Sequence, residues 1–236
     1  MSTGQIIICG GDEAGRGALI GPLVVALVAI KKSNTHKLTD IGVRDSKLLS
    51  RRRRENLYGT IKEIAVDVKV SKIMPAEINE AMRRNISLNE LEATHFAKLF
   101  NNVPVDVSTL YLDSPDVIPE KFGMRVNLSS NKPTKIKGVP LKRQKGIKYT
   151  NIIAEHKADS IYPVVSAASI IAKVERDWEI DKIAKQLGLE IGSGYPADSY
   201  TIATIKENMK NEALKQHIRQ YWQTMYEIKQ TKLTNF

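Results

Sequence analysis

Apolar and polar residues alternate in blocks along the chain, and the blocks predict an α/β fold. The β-branched run at residues 6–9 indicates a buried strand, and a second apolar run covers residues 18–30. Shorter segments at 64–73 and 107–113 predict two further strands. Apolar residues recur at helical spacing in six segments, which are residues 51–61, 75–82, 88–99, 164–187, 200–209 and 212–229. The chain is therefore predicted to form a sheet with helices packed on it.

Acidic side chains stand at the ends of two of these predicted strands. Asp12 and Glu13 follow the first apolar run directly, and Asp113 ends the run at 107–113. Unpaired buried carboxylates are costly, so acids at these positions suggest a use for the charge. Each could also be an ordinary solvated acid where a strand ends. If the two strands are neighbours in the sheet, the three carboxylates can meet.

A glycine-rich turn follows the first pair of acids. Gly15 and Gly17 carry no Cβ, so the backbone there can come close to a partner. Arg16, between them, offers a planar fork of donors that suits a phosphate group. The alternative is a polar turn between two core strands, because turns favour Asp and Gly on ordinary grounds.

Charge favours a polyanionic partner such as nucleic acid. The 236-residue chain has a formal net charge of +10 and a sequence pI near 9.5. Seven lysines and arginines fall within residues 132–148, in a polar stretch at 121–150 that is predicted to be a solvated hairpin or an electrostatic arm on the nucleic acid. A basic chain with acids at strand ends fits a nuclease that needs a divalent metal.

Cysteine usage and hydropathy exclude several classes of protein. The single cysteine, Cys9, excludes an intramolecular disulfide and a cysteine-based metal cluster, and we predict that it is a small core residue. The longest apolar run, at 18–30, is too short to span a bilayer, and the first residues lack the pattern of a signal peptide. We expect a cytoplasmic protein that does not bind membranes.

Several segments together resemble the type 2 ribonuclease H family, ribonuclease HII. Residues 12–17, followed by a small and apolar run with Gly21-Pro22, resemble its opening signature. Residues 156–177 resemble its second signature, and the loop at 192–198 resembles its glycine-tyrosine loop. The resemblance covers roughly residues 5–200 in the right order, and the wording His-Lys-Ala-Asp is similar to archaeal members.

The resemblance implies a ribonuclease H-like fold, a mixed five-stranded sheet flanked by helices with a C-terminal helical cap. Residues 1–190 would form the catalytic domain, and residues 191–236 a helical extension packed on it. It also implies four carboxylate ligands for two divalent ions, Mg²⁺ or Mn²⁺, at Asp12, Glu13, Asp113 and Asp159, with Asp12 as the bridging ligand. Periodicity alone does not distinguish Asp159 from Glu155 or Asp177.

The resemblance implies two sets of nucleic-acid contacts. Gly15, Arg16, Gly17 and Tyr195 would form the sensor of the RNA-to-DNA junction, where the 2′-hydroxyl distinguishes RNA from DNA. Residues 45–47 are similar to an Asp-Ser-Lys segment of the family, whose Ser46 and Lys47 would donate to phosphates. Leu48 stands where a second lysine is expected.

The expected reaction is endonucleolytic hydrolysis on the 5′ side of a ribonucleotide, which leaves 5′-phosphate and 3′-hydroxyl ends. Substrates would be RNA/DNA hybrids and single ribonucleotides in duplex DNA, in ribonucleotide excision repair and primer removal. We expect a monomer, and the tail at 229–236 hints at a sliding clamp as a further partner.

Three other functions remain open on the residues alone. A junction resolvase on the same fold would keep the acids but show no preference for ribonucleotides. A non-catalytic nucleic-acid binding module would bind with a steep salt dependence and need no metal. A metal-dependent phosphatase would be insensitive to duplex structure.

Overall fold

A computed structural model describes residues 5–43, 48–140 and 144–233 of the chain. The described residues form a six-stranded sheet with the order β3-β2-β1-β4-β6-β5. Its strands are β1 (Ile7–Ala14), β2 (Leu23–Lys31), β3 (Asp67–Ile73), β4 (Val107–Asp113), β5 (Thr134–Ile136) and β6 (Thr150–Glu155). The predicted α/β fold is confirmed, with six strands in place of five. β5 and β6 lie outside the four strands predicted from the apolar runs, and β5, with three residues, lies at one edge of the sheet.

Helices account for most of the remaining chain. A 3-10 turn at Lys32–Asn34 follows β2. The α-helices are α1 (Thr35–Asp40), α2 (Arg51–Ile64), α3 (Pro75–Arg83), α4 (Leu88–Asn101), α5 (Pro119–Ser129), α6 (Ala158–Ile161), α7 (Pro163–Leu187), α8 (Ser199–Glu207), α9 (Glu212–Lys215) and α10 (Gln223–Leu233). The Ser50 side chain caps α2 by accepting from the Arg53 amide at 3.3 Å, as a serine before a helix predicts.

The central strands explain why acids from distant parts of the chain can meet. Every residue of β2 except the last is buried, and every residue of β1 except Glu13 is buried. Both strands therefore lie in the core. β1 pairs with β4 in parallel, and Gly11 lies opposite Leu112. β4 pairs in parallel with β6, where Asp113 lies opposite Glu155. The carboxyl ends of β1, β4 and β6 therefore lie side by side at the same end of the sheet.

Close packing against β1 depends on a glycine. A Cβ built on Gly10 would lie 2.4 Å from the carbonyl carbon of Val164, near the start of α7. This approach of helix backbone to strand backbone is only open to a residue without a side chain. Cys9, the preceding residue, is fully buried, and burial raises the pKa of its thiol to about 12. The prediction that Cys9 is a core residue is confirmed.

Two predictions of secondary structure were wrong in detail. The polar stretch at 121–150 is not simply a hairpin, because α5 covers residues 119–129 and buries Phe122 and Val126. Pro119 stands at the first turn of α5, where its missing N–H costs nothing. The single helix expected over 212–229 is interrupted, since α9 ends at Lys215 and α10 begins at Gln223.

The chain divides into two compact units that interleave along the sequence. The first takes residues through Glu13, Val25–Ser71 and Asn89–Val174, and the second takes Ala14–Val24, Lys72–Leu88 and the residues from Glu175 onward. The second unit has an apolar core of its own, in which Leu19 and Ile20 pack with residues of α7 to α10. The expected domain boundary at residue 190 stays a prediction. No helix in the described ranges has the length and apolar character needed to cross a bilayer.

Candidate active site

Three carboxylates meet at the carboxyl ends of β1 and β4, within the first compact unit. Asp12 and Glu13 lie within the last three residues of β1, and Asp113 is the last residue of β4. The two strands are parallel neighbours, with Gly11 opposite Leu112 one position before the acids. One ligand oxygen from each of the three side chains lies within 4.8 Å of the others. The sheet order thus brings together acids that are a hundred residues apart in the sequence.

Burial and mutual repulsion shape the electrostatics of this group. Asp12 is only 4% exposed, and its Oδ1 accepts from the Glu13 amide at 2.8 Å. Burial raises the pKa of Asp12 well above its ordinary value, and the negative charges of Glu13 and Asp113 raise it further. A hydrogen bond from Ser169 and the positive charge of Lys173 act in the opposite direction. The site therefore concentrates negative charge that a cation would offset.

Ser169 and Lys173 were not singled out from the sequence. Both lie on α7 one turn apart, and Lys173 Nζ donates to Ser169 Oγ at 2.6 Å. Ser169 is fully buried, so its hydroxyl is held between the lysine and the Asp12 carboxylate. The available signal was a polar pair four residues apart on a helix whose first half is otherwise small and apolar.

The raised pKa of Asp12 predicts how the metal-free protein responds to pH. The folded state holds the Asp12 proton more tightly than the unfolded state, whose pKa is near the ordinary value of 3.8. This contribution to stability is fully present below 3.8 and is lost as the pH rises through the raised pKa. In chelator, thermal unfolding followed by circular dichroism should therefore show a falling Tm over this range.

Asp12→Asn should remove this loss, because the amide carries no charge to repel Glu13 and Asp113. We expect the variant to unfold about 2 °C or more above the wild type at neutral pH in chelator. Curves of Tm against pH that run parallel for the two proteins would contradict this account of the site.

A backbone amide at the start of α6 orients the Asp113 carboxylate. Its Oδ1 accepts from the Ala158 amide at 2.7 Å. That amide is aimed by Lys157, which adopts a left-handed conformation with φ of 55°. Asp159, the next residue along, is 6% exposed and accepts from Ser160 Oγ at 3.4 Å. The Asp159 carboxylate does not belong to the group of three whose oxygens lie within 4.8 Å, although its neighbour in the chain contacts Asp113.

The glycine-rich turn lies in the second compact unit and is hydrogen-bonded to the glycine-tyrosine loop. The Ala18 amide donates to the Gly15 carbonyl at 3.2 Å, and Gly15 has a φ of 90°. The amides of Leu19 and Ile20 both donate to the Gly194 carbonyl, at 2.7 and 3.2 Å. The two segments that the resemblance assigned to one sensor are therefore joined in the fold.

Tyr195 stands on a loop that is fixed by its own hydrogen bonds. Asp198 accepts from the Ser193 amide at 2.6 Å and from the Tyr200 amide at 3.0 Å, so it closes the loop and caps α8. The Tyr195 ring is half-buried and faces the guanidinium of Arg176, whose Cζ lies 4.5 Å from the ring centroid. This arrangement presents the ring at a defined position.

Comparison with known proteins decides the family. A family model described as ribonuclease HII matches residues 9–225. The chain belongs to the ribonuclease HII family. The ribonuclease HII of Pyrococcus furiosus is 41% identical over 225 residues, which cover 95% of this chain and 92% of that protein.

Solved structures agree with this assignment to the ribonuclease HII family. The crystal structure of ribonuclease H2 from Pyrococcus horikoshii OT3 superposes with a TM-score of 0.82 at 38% identity, covering 98% of this chain and all of that one. The PCNA:RNase HII complex from Archaeoglobus fulgidus gives a TM-score of 0.75 at 36% identity, with 92% of this chain and 96% of that chain covered. As a ribonuclease HII, the chain is a ribonuclease H, a hydrolase with endonuclease activity.

The structure brings some of the predicted ribonuclease HII residues together and leaves others apart or undescribed. Asp12, Glu13 and Asp113 form one group in the first unit, and Asp159 is not part of it. Gly15, Arg16, Gly17 and Tyr195 all belong to the second unit. Ser46 and Lys47 lie outside the described residues. The individual roles in metal and nucleic-acid binding stay predictions.

Asp116, three residues after Asp113, has a structural role outside the group of three carboxylates. It is 8% exposed, and Arg125 Nε donates to its Oδ2 at 3.1 Å. Asn89 donates to its other oxygen. These contacts tie the loop after β4 to α4 and α5, so the carboxylate is already neutralised within the fold.

Proposed function

We propose that this ribonuclease HII hydrolyses the RNA strand of RNA/DNA hybrids and cuts on the 5′ side of single ribonucleotides embedded in duplex DNA. The products are 5′-phosphate and 3′-hydroxyl ends. The observation that carries the proposal is the meeting of Asp12, Glu13 and Asp113 within 4.8 Å in a strongly basic chain. A role in ribonucleotide excision repair and primer removal follows from that substrate.

The donor set supports a requirement for divalent metal. Carboxylate oxygens are hard ligands of the kind that Mg²⁺ and Mn²⁺ prefer. Burial and the negative charges of Glu13 and Asp113 raise the pKa of Asp12, and a bound cation would oppose this shift by stabilising the ionised carboxylate. Asp12, Glu13, Asp113 and Asp159 would hold two such ions, with Asp12 shared between them. Divalent ions bound there would activate a water molecule and relieve charge on the leaving oxygen.

Groups of the chain itself prepare this site before any substrate arrives. The Ala158 amide holds Asp113 Oδ1, and Ser169 and Lys173 hold the carboxylate of Asp12. Fixed ligand orientation lowers the reorganisation needed at the moment of reaction. Asp159 is included as the fourth ligand on the family resemblance, and its burial directly after Ala158, whose amide contacts Asp113, supports this choice.

Selectivity for ribonucleotides is assigned to the second unit. Gly17 is exposed, and a Cβ built on it meets no atom within 4 Å, so a sugar or phosphate can approach its backbone. Arg16 would donate to a phosphate, and the Tyr195 ring would pack against the sugar beside the scissile linkage. Such contacts can distinguish a ribose from a deoxyribose through the 2′-hydroxyl.

The deciding experiment uses a labelled DNA duplex that carries one ribonucleotide, incubated with Mg²⁺, Mn²⁺ or chelator beside an all-DNA duplex. A metal-dependent cut 5′ to the ribonucleotide, with the all-DNA duplex intact, is the expected result. Cleavage of both duplexes would indicate a nuclease without ribonucleotide recognition. Salt-sensitive binding without any cleavage would favour the non-catalytic binding module.

We also propose that a sliding clamp binds the C-terminal tail. The A. fulgidus relative was solved as a complex with PCNA, and it is 36% identical to this chain. The tail carries Leu233 and Phe236 three positions apart, a spacing that can present two apolar anchors to a groove. Truncation after Gln230 should weaken clamp binding in titration calorimetry by about tenfold or more while cleavage of short duplexes persists. Unchanged affinity would exclude the tail as the contact.

A further inference from the structure

A fully buried arginine supports the glycine-rich turn from behind. Arg219 lies between α9 and α10 and is 0% exposed. Its Nε donates to the Gly21 carbonyl at 3.0 Å, and its Nη1 donates to the Arg16 carbonyl, also at 3.0 Å. The Arg219 amide donates to the Leu19 carbonyl at 2.9 Å. Both the backbone and the side chain of this residue are therefore directed at the segment that contains the turn.

Arg219 is a costly residue to place there. Across the described part of the chain, no carboxylate lies within ion-pair distance of its guanidinium, and Nη2 is buried without a hydrogen-bond partner. Burial and, to a smaller extent, the positive charge of Arg176 together lower the pKa of Arg219 to about 9. Taking a charged side chain out of water carries a desolvation penalty that hydrogen bonds to neutral carbonyls offset only in part. Its placement therefore suggests a task other than stabilising the core.

Arg219 acts on a peptide group of the glycine-rich turn through its hydrogen bond to the Arg16 carbonyl. The Arg16 carbonyl and the Gly17 N–H belong to one peptide plane, so a donor fixed on the carbonyl also fixes the direction of the N–H. Gly17 is exposed, and its amide has no acceptor in the regions that the structure describes. A charged donor on the carbonyl polarises the peptide and makes its N–H a stronger donor to a ligand.

Arg176 is a second buried arginine, and its guanidinium contacts the Tyr195 ring as Arg219 contacts the glycine-rich turn. It is 4% exposed, and its Cζ lies 4.5 Å from the Tyr195 ring centroid. Its Nη2 donates to the Ser193 carbonyl, and its Nη1 lies 3.3 Å from Asp177 Oδ1. A Cβ built on Gly15 would lie 3.3 Å from Arg176 Cγ, so the same side chain also packs against the turn.

We propose that Arg219 and Arg176 are positioning residues for ribonucleotide recognition. Arg219 orients and polarises the Arg16–Gly17 peptide, and Arg176 holds the Tyr195 ring, so that both meet the sugar and phosphate at the RNA-to-DNA junction. The inference rests on the proposed function and deepens it. Neither residue touches the substrate, and each acts through a group that does.

The test compares two substrates, a DNA duplex with one ribonucleotide and a uniform RNA/DNA hybrid. Both require the carboxylates, but only the first presents a deoxyribose next to the ribose at a fixed place. Arg219→Met keeps the bulk of the side chain and removes its donors. We expect kcat on the single-ribonucleotide duplex to fall about tenfold or more relative to kcat on the hybrid. The Tm should fall modestly, because the Gly21 and Arg16 carbonyls lose their donor.

Asn79→Ala is the matched control. Asn79 Nδ2 donates to the Ile218 carbonyl at 2.9 Å, and its Oδ1 accepts from the Gln220 amide at 2.8 Å. The variant thus removes two hydrogen bonds from the residues on either side of Arg219 without reaching the turn. It should leave the ratio of the two activities unchanged. If Arg219→Met does not fold, Arg219→Lys, which keeps the charge but not the two-carbonyl fork, should lower the same ratio.

Arg176 is tested through Tyr195 in a double-mutant cycle. Arg176→Lys keeps a positive charge and loses the planar group that faces the ring. If Arg176 acts through Tyr195, it should lower the ratio about tenfold in the wild type and much less in the Tyr195→Ala background. Additive losses would overturn this half of the proposal.

The outcomes distinguish a failure of the proposed function from a failure of the positioning role alone. Wild type that cuts neither substrate overturns the proposed function and this inference with it. Wild type that cuts both, with Arg219→Met lowering the two activities equally and in step with Tm, overturns only the positioning role. A selective loss on the single-ribonucleotide duplex, absent from Asn79→Ala, supports it.

Discussion

Asp113→Asn should abolish cleavage of the ribonucleotide-containing duplex while it spares binding of that duplex. In the wild type the Ala158 N–H donates to Asp113 Oδ1 at 2.7 Å. The amide oxygen of asparagine can accept the same hydrogen bond, so the local fold should persist. What the substitution removes is one negative charge from a group of three carboxylates within 4.8 Å. We expect kcat to fall by more than about a hundredfold, since loss of a group that only orients a metal ligand already costs about ten- to a hundredfold.

Asp116→Asn provides the control for Asp113→Asn. It makes the same chemical change three residues away, at a carboxylate that is paired with Arg125 at 3.1 Å. This variant should lower Tm and leave the cleavage rate of the folded protein close to that of the wild type. Single-turnover cleavage and a binding titration in Ca²⁺ would separate the two effects. Activity retained by Asp113→Asn would remove Asp113 from the site.

Tyr195→Ala should reduce the rate of junction cleavage more than it reduces affinity for the duplex. The loop around Tyr195 is closed by Asp198 and does not need the ring for its shape. The loss should therefore fall on the position of the scissile linkage, with a decrease in kcat of about ten- to a hundredfold, the range expected for one aromatic contact to a nucleotide. Tyr195→Phe, which keeps the ring, should retain most of the activity.

Tyr200→Ala is a suitable comparison because Tyr200 is also near this loop and is 60% exposed. It should change neither kcat nor KM substantially. The decisive measurement is the separate determination of kcat and KM on the single-ribonucleotide duplex. A proportional loss of affinity and rate in Tyr195→Ala would make the ring a binding contact without a role in positioning.

The strands that carry the acids could be predicted from the sequence because their signal is local. A β-branched run followed by Asp12 and Glu13, and a short apolar run that ends in Asp113, are visible without any tertiary information. Their meeting could be stated only as a condition, since strand order depends on long-range pairing. The parallel pairing of β1 with β4 fulfils that condition.

Residues whose roles depend on tertiary contacts could not be found in this way. Ser169 and Lys173 look like ordinary polar positions on a helix, and only the fold shows that they face Asp12. Arg219 lies in an irregular segment that periodicity assigned to a helix. Its partners, Arg16 and Gly21, are about two hundred residues away in the sequence. Asp159 entered only through the family resemblance.

The order of the sheet has a consequence for self-association. β3 and β5 are the outermost strands, so their outer backbone groups are the ones that could pair with a second molecule. β5 has three residues, and both strands carry lysine, Lys69 in β3 and Lys135 in β5. Short, charged edge strands disfavour the edge-to-edge pairing that leads to aggregation. Lys135, which belongs to the basic stretch at 132–148, is thus expected to disfavour strand pairing between folded molecules in addition to any contact with nucleic acid.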